Sequence, residues 1–199
     1  MNIYTLKENA KQQISGNIGI FLLMYLVIYV ITALASLIPV VGSVLGFVAE
    51  AVFSVSLITV FLTLANGITP QFTDIFGIFN NSRLCGNAIL LTILTTLYTF
   101  LWSLLLIVPG IIKGLSYSMA PFILAENDVL ITPSEAIAES ERIMKGHKTE
   151  LFTLMLSFIG WWLLTIITCG IASIYVMPYY TATLTNFYNS IKDVQIVTD

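Results

Sequence analysis

Two charged residues lie deep inside long apolar stretches of the sequence. Glu50 and Asp74 are the only charged residues in 12–82, and Lys113 is the only one in 84–125. An ionisable side chain inside a membrane helix is costly when it is charged and unpaired, so it marks a candidate functional position. The long side chain of Lys113 can reach inward from a position nearer the membrane surface. We therefore predict that Glu50 and Lys113 form an intramembrane polar pair.

This pair has a structural and a functional interpretation. It locks two helical hairpins together, or burial keeps the Glu50 carboxyl protonated, and both of these alternatives are structural. The same residues are also suited to handling an ion or a solute, and lipid contact is a third interpretation. We favour the structural interpretation and expect Glu50 to face the interior of the bundle rather than open lipid.

Two prolines mark candidate helix breaks. Pro121 and Pro178 interrupt two of the predicted membrane helices at similar depth. Transporters expose backbone groups to their substrates where helices are interrupted at matched positions of internal repeats. The alternative, which we favour, is a packing kink whose freed carbonyl groups bind Ser, Thr or water.

A basic cluster surrounds the only histidine of the chain. Lys145, His147 and Lys148 follow one another closely, and they are suited to contact anionic lipid headgroups. One histidine without a neighbouring cluster of cysteines or carboxylates does not make a metal site. We therefore expect a capping or interfacial role for His147, and we predict no metal and no cofactor.

The sequence lacks the motifs of common catalytic sites. G-x-S-x-G, H-E-x-x-H and the P-loop are all absent. A hydrolase needs a base beside its nucleophile, and a single peripheral histidine is poorly placed to be one. We therefore predict that the protein is not an enzyme.

The composition shows which elements must position these residues. Hydrophobic residues make up 57% of the chain and charged residues 10%, whereas a soluble domain carries about 25% charged residues. Abundant aromatic and branched residues exclude disorder. A net charge of −3 without a basic stripe excludes nucleic acid as a partner. The positioning elements are therefore helices in a lipid bilayer.

A helix crosses the hydrocarbon core in about 20 residues, and turn residues divide the apolar stretches into six candidate spans, of which the fourth is short. Seven of the eight Lys and Arg residues then lie on one side, which predicts that this side and both termini are cytoplasmic. Cys85 and Cys169 lie on opposite sides of the membrane, so we expect no disulfide bond between them. The predicted spans are 18–38, 43–65, 87–108, 111–125, 151–168 and 171–190.

An internal repeat accompanies these spans. The motifs Ser15-Gly16-Asn17, Cys85-Gly86-Asn87 and Lys145-Gly146-His147 are each followed, 23 residues after the glycine, by a residue at a predicted turn: Pro39, Pro109 and Cys169. Two of the returning helices begin with G-x-x-x-G, namely Gly42/Gly46 and Gly110/Gly114, which lets helix backbones approach closely. We expect Gly16, Gly86 and Gly146 to occupy equivalent positions where the chain enters the membrane.

Each glycine motif also follows an amphipathic stretch. The third stretch begins with Thr132-Pro133-Ser134-Glu135, which predicts a capping box with proline at the first helical position. Short amphipathic helices of this kind are expected to lie in the cytoplasmic headgroup layer. The prediction is thus an all-α membrane protein in which one domain, 1–199, forms a six-span helical bundle. Three repeated hairpins build it, over 1–66, 70–125 and 132–191, each preceded by a short cytoplasmic interfacial helix.

The sequence resembles the bacterial integral-membrane family catalogued as domain of unknown function 975. The resemblance lies in the runs LLIVPGIIK (105–113), SYSMAPFILA (116–125), MKGHK (144–148) and LSFIGWW (156–162). It covers nearly the whole chain and is weakest over 1–65. It implies a bacterial cell-membrane protein, and it implies no activity or catalytic residue.

Two functions remain after these exclusions. The first is a non-enzymatic envelope component that scaffolds, protects or helps to assemble other molecules. The second is a small channel or transporter for an ion, a lipid or a peptide, which would use Glu50 and the proline-interrupted helices. The expected partners are membrane lipids, with another membrane protein or a peptide as further candidates, and the oligomeric state is left open.

Overall fold

The computed structural model describes residues 2–38, 41–127 and 130–196, and the predicted turn residue Pro39 lies outside these ranges. All regular structure in these ranges is helical. One element, Phe72–Asn80, is a 3₁₀ helix. The α-helices are α1 (Ile3–Ser15), α2 (Ile18–Ser36), α3 (Val41–Ala65), α4 (Ser82–Leu105), α5 (Ile107–Tyr117), α6 (Ala120–Asn127), α7 (Pro133–Ile143), α8 (Lys148–Leu156), α9 (Ile159–Ile167) and α10 (Ser173–Ile196).

Five helical segments among the described residues are long and apolar enough to cross a membrane. They are α2, α3, α4, the pair α5–α6 and the pair α8–α9. A sixth long helix, α10, has 24 residues, but its Thr, Asn and Tyr side chains make it less apolar than the others. The chain is therefore a membrane protein of the all-α class.

The long helices form an inner and an outer set. Among the residues of each apolar segment, 50% are buried in α3 and 44% in α5–α6. The corresponding shares are 17% in α2, 11% in α4 and 17% in α8–α9. Helix α10 belongs to the inner set, because its buried positions run from Ser173 to Ile191. The outer helices expose large aliphatic side chains such as Leu97 and Leu163, as expected of surfaces that contact lipid.

The core lies around the C-terminal halves of the inner helices. Aromatic rings join neighbouring helices there: Phe21 of α2 stacks on Phe61 of α3 with centroids 4.6 Å apart, and Phe122 of α6 stacks on Tyr188 of α10 at 5.5 Å. In contrast, Gly42 is the only buried residue over 41–50 of α3. The bundle is therefore tightly packed at one end of the inner helices and looser at the other.

The three short amphipathic helices pack against the protein rather than presenting their apolar faces to lipid. Ala10 of α1, Ile75 of the 3₁₀ helix and Ala136 of α7 are each fully buried. Their position in the cytoplasmic headgroup layer stays a prediction, whereas their apolar faces are covered by the protein. The physical reason is that the inner helices offer an apolar surface on which these faces are covered by side chains instead of acyl chains.

Each amphipathic helix contacts the inner helix of a different hairpin. Asn186 of α10 donates a hydrogen bond to Oε1 of Gln13 in α1 at 3.0 Å. The Ser56 hydroxyl of α3 donates to the backbone oxygen of Ile75 at 2.6 Å. Helix α7 runs back along α6, beginning at its C-terminal end. The 3₁₀ helix and α7 thus each lie on the inner helix that precedes them in the chain, and α1 lies on the last inner helix, α10.

The hairpin between α4 and α5 turns at Leu106, which has an extended backbone (φ −161°, ψ 144°). The predicted turn at Pro109-Gly110 is therefore misplaced by a few residues, because both residues belong to the first turns of α5. Proline is tolerated there, since the first backbone N–H groups of a helix have no acceptor within the helix. A Cβ atom built on Gly110 would lie 2.8 Å from the Cα atom of Ser103, so this glycine allows α4 and α5 to touch.

Candidate functional site

Glu50 borders a cavity of about 490 Å³ that lies between α2, α3 and α10, with Phe122 of α6 at one side. Its side chain is exposed and is not buried in a contact between helices. The walls of the cavity are mainly apolar, and none of its described lining residues is basic. Glu50 is therefore the only charged side chain among the described residues that line it.

Most hydroxyl groups in the walls of this cavity already have partners. The hydroxyls of Tyr25 and Thr181 share a hydrogen bond of 3.0 Å, which joins α2 to α10. The Thr32 and Ser54 hydroxyls bond to backbone oxygens of their own helices, at 2.9 Å in each case. Such bonds within a wall fix the positions of its side chains and leave these groups with less capacity for a ligand.

A second tyrosine of α2 is fixed in the same way. Tyr29 donates a hydrogen bond of 3.0 Å to the Ser173 hydroxyl of α10. In the part of the chain that the structure describes, the Glu50 carboxyl and the Tyr180 hydroxyl make no hydrogen bond or ion pair. These two groups are consequently the polar side-chain groups of the cavity that have no hydrogen-bond partner among the described residues.

Lys113 does not pair with Glu50. Its ammonium group contacts the carboxylate of Glu141 on α7, and it lies 5.1 Å from the ring centroid of Trp102. The predicted Glu50–Lys113 pair is therefore replaced by a pair within the second half of the chain. The reason is the direction of α7, which folds back along α5–α6 and carries Glu141 up to the level of Lys113.

The helix break before Pro121 has its polar groups satisfied within the protein. The chain turns at Ser118-Met119 between α5 and α6. The Ser140 hydroxyl of α7 donates to the Ser116 backbone oxygen at 2.7 Å and accepts a bond of 3.2 Å from the Met119 backbone N–H. The break thus has the serine partner that a packing kink requires.

Pro178, by contrast, lies inside α10, which continues through it. Its side chain is buried, and the neighbouring residue Met177 lines the cavity beside Glu50. The two prolines are therefore in different local structures, a break at one and a continuous helix at the other.

The basic cluster contains a contact between side chains that the sequence did not predict. His147 Nδ1 lies 2.7 Å from the Glu150 carboxylate, one turn along α8. His147 is the residue that precedes α8, and its side chain makes no capping hydrogen bond. Lys145 is exposed and Lys148 is partly exposed, so contact of these lysines with lipid headgroups stays a prediction.

The three signature glycines occupy three different backbone environments. Gly16 follows α1 in a right-handed conformation, Gly86 lies inside α4, and Gly146 has a positive φ of 86°. The difference at Gly86 arises because α4 begins earlier than predicted, where the Asn81 side chain accepts a hydrogen bond from the Leu84 backbone N–H. Similar residues at equal spacing therefore do not have one common local structure.

The structure also contains a polar cluster that sequence reasoning missed. The Glu126 carboxylate at the end of α6 accepts a hydrogen bond of 2.6 Å from the Tyr188 hydroxyl and contacts the Lys192 ammonium. A cavity of about 470 Å³ beside it is bordered by Asn66 and Asn189. Charged residues are common at helix ends, so the sequence alone did not single out Glu126 and Lys192. Their shared position near the ends of inner helices is the signal that could have found them.

The fold defines the class of this chain, an all-α membrane protein with several long apolar helices. Residues 104–195 match the family described as Protein of unknown function (DUF975), which confirms the resemblance seen in the sequence. The matched part includes α5 to α10 and Lys113, whereas Glu50 lies before it. No curated protein and no solved structure matches the chain.

Proposed function

We propose that this protein is a non-enzymatic component of the bacterial cell membrane that acts by binding another envelope molecule. The observation that carries the proposal is the cavity of about 490 Å³ beside Glu50. Its volume is typical of small-molecule sites, as is a mainly apolar wall with a few polar groups. A binding protein of this kind would scaffold, protect or help to assemble the molecule that occupies the cavity.

Six membrane crossings with both termini in the cytoplasm are part of this proposal. Helix α10 has 24 residues and is about 36 Å long at 1.5 Å per residue, which is enough to cross the hydrocarbon core. Its residue Asn189 lies beside Asn66 and Glu126, near the ends of α3 and α6. This position supports a return of α10 to the side on which the other two inner helices end.

A threefold arrangement of hairpins is supported by the packing of the amphipathic helices. The 3₁₀ helix lies on α3, α7 lies on α6, and α1 lies on α10, so each inner helix has one amphipathic helix packed on it. Three equivalent units related by rotation about an axis along the membrane normal would produce this pattern. The inner set of α3, α5–α6 and α10 then surrounds that axis.

Binding without catalysis agrees with the surroundings of the reactive side chains. His147 is paired with Glu150 and is not among the residues that border the cavity. The described residues contain no group of three or more His, Cys, Asp and Glu residues that could hold a metal ion. A base or a metal-bound water beside a nucleophile would be required for hydrolysis.

A transporter is the second candidate, and one observation favours it. Phe122, which follows the helix break at Ser118-Met119, lies in the wall of the cavity. A break of this kind in an inner helix is a place where the two halves can change their angle. Movement there would change the shape of the cavity.

Photocrosslinking tests the proposed binding. A photoreactive amino acid is introduced at Thr181, in the cavity wall, and in a second variant at Leu97, which is exposed on α4. Both variants are irradiated in cells, and the adducts are identified by mass spectrometry. We expect Thr181 to yield one enriched species and Leu97 to yield the bulk lipids. The proposal is wrong if Thr181 yields no adduct or the same lipids in the same proportions.

A further inference from the structure

We infer that the cavity beside Glu50 binds a lipophilic cation, in which an ammonium or phosphonium centre lies against the Glu50 carboxylate and apolar groups fill the remaining space. This inference rests on the proposed binding function and specifies the chemical class of the ligand. It follows from the charge of the cavity, from its aromatic residues and from the hydrogen bonds that hold its walls.

The charge of the cavity favours a positively charged ligand. Glu50 is the single charged group among the described residues of the wall, and no described residue forms an ion pair with it. Lys113, the partner predicted from the sequence, contacts Glu141 instead. A carboxylate in an apolar environment is costly unless a positive charge compensates it. Because the protein supplies none, a cation from the bilayer or the solution is the partner that the site lacks.

The aromatic residues of the cavity favour a cation that carries apolar groups. Five of its lining residues are aromatic: Tyr25, Tyr29, Phe53, Phe122 and Tyr180. The faces of aromatic rings attract cations, and sets of such rings are used to recognise quaternary ammonium groups. The same rings present apolar area to the hydrocarbon part of a ligand. A lipophilic cation therefore uses both the charge and the rings, whereas a neutral lipid uses only the rings.

Hydrogen bonds fix the wall of the cavity before a ligand binds. Tyr25 and Tyr29 are held by Thr181 and Ser173 respectively, so their rings are fixed before a ligand binds. Fixed side chains lower the entropic cost of binding. Glu50 supplies the single carboxylate among the described residues of the wall, whereas a bare metal cation such as Ca²⁺ takes about six to eight oxygen ligands. An organic cation, which needs no such ligands, fits the site better.

Tetraphenylphosphonium and tetraphenylborate form a suitable pair of probes, because they have the same shape and opposite charges. Equilibrium dialysis measures their binding to the full chain in lipid nanodiscs, with empty nanodiscs to subtract partition into lipid. We expect saturable binding of tetraphenylphosphonium and none of tetraphenylborate. Equal saturable binding of the two ions, or no binding of the cation, would overturn the inference.

Variants locate the binding. Glu50→Gln should weaken tetraphenylphosphonium binding at least tenfold, and Glu8→Gln, which removes an exposed carboxylate on α1, should leave it unchanged. Ser54→Leu keeps the charge but narrows the cavity, and it should also weaken binding. It provides the test if Glu50→Gln does not fold, as judged by its melting temperature. Unchanged affinity in a folded Glu50→Gln or Ser54→Leu variant would contradict the inference.

The two experiments distinguish the binding function from the cationic ligand. If Thr181 crosslinks to one enriched neutral species and tetraphenylphosphonium does not bind, the binding function stands and the cationic ligand is wrong. If Thr181 yields no enriched adduct and neither ion binds, the binding function itself is wrong.

Discussion

The Lys113 ammonium contacts the Glu141 carboxylate, and this contact joins α5 to the helix that leads into α8. The ring of Trp102 on α4 lies 5.1 Å from the same ammonium group, and the ring of Tyr117 lies 5.8 Å from it. Three helices therefore meet at one positive charge. The contact fixes α7 along α5–α6, in addition to the hydrogen bonds of Ser140.

A double-mutant cycle measures this interaction. Lys113→Ala and Glu141→Ala should each lower the stability, and the double variant should lose less than the sum of the two. Both side chains are partly exposed, at 26% and 37%, so we expect a coupling energy of about 1 kcal/mol. Thermal unfolding in detergent provides the measurement.

The control for this cycle is Glu50→Ala combined with Lys113→Ala. Because the structure shows no contact between these residues, the effects of the two substitutions should add. Additive losses for Lys113 and Glu141, or strong coupling between Lys113 and Glu50, would contradict the contacts described above.

The close approach of α4 and α5 gives a second prediction. Gly110→Ala should destabilise the protein by about 1–3 kcal/mol, because the added methyl group overlaps Ser103 and its backbone. Gly46→Ala is a matched control, since a Cβ atom at Gly46 has nothing within 4 Å. That variant should be neutral or slightly more stable, as alanine favours a helix. Equal melting temperatures for the two variants would show that α4 and α5 are not in contact here.

These examples show which features the sequence predicts and which it does not. The G-x-x-x-G prediction holds for Gly110, where another helix approaches, and not for Gly46, which faces open space. The motif permits a close contact, but the partner surface decides whether one forms. Likewise, the positions of Lys113 and Glu50 could be read from the sequence, whereas the direction of α7, which selects Glu141 as the partner, depends on tertiary packing.

The candidate site was predictable to a similar extent. A single carboxylate within an apolar run indicates Glu50 directly. The tyrosines around it come from α2 and α10, which are far apart in the chain. Their hydroxyl partners can be identified only when the fold brings those two helices together. Local signals were the most accurate: the capping box at Thr132 and Glu135, with Pro133 in the first turn, is present as predicted.

That capping box supports a third prediction. The Thr132 backbone N–H donates to the Glu135 carboxylate at 2.8 Å, and the Thr132 hydroxyl accepts from the Glu135 backbone N–H at 3.3 Å. Thr132→Ala should cost about 1 kcal/mol, because it leaves one N–H group at the start of α7 without its partner. Thr132→Ser retains a hydroxyl and should keep most of the stability. A loss of the same size in both variants would mean that the hydroxyl is not the stabilising group.

Acidification should weaken α7 through a neighbouring ion pair. The Arg142 side chain donates hydrogen bonds of 2.8 and 2.7 Å to the Glu139 carboxylate, and these bonds hold the pKa of Glu139 below its usual value. A carboxyl whose pKa is lower in the folded state stabilises that state above its unfolded pKa of about 4.3. The contribution is lost as the pH falls through the lower pKa of the folded state.

The melting temperature of Glu139→Gln should therefore fall less between pH 6 and pH 3 than that of the unchanged protein. The difference will be small, since both side chains are largely exposed to solvent. Glu8→Gln serves as the control, because Glu8 has no ion pair among the described residues. An identical acid response in the unchanged protein and Glu139→Gln would show that the pair contributes nothing.

The topology is testable with the cysteines of the chain, both of which are free thiols. Cys169 is exposed at the turn between α9 and α10, where it has a positive φ of 49°. In a Cys85→Ser variant, a membrane-impermeant maleimide should label Cys169 in intact cells. With both native cysteines replaced by serine, Asn66→Cys and Asn189→Cys should be labelled only after permeabilisation. Asn189 distinguishes six crossings from five, because a helix α10 that did not cross would leave it on the side of Cys169. Labelling of Asn189→Cys but not of Asn66→Cys in intact cells would exclude the six-span arrangement, whereas labelling of both would contradict the cytoplasmic location of the termini.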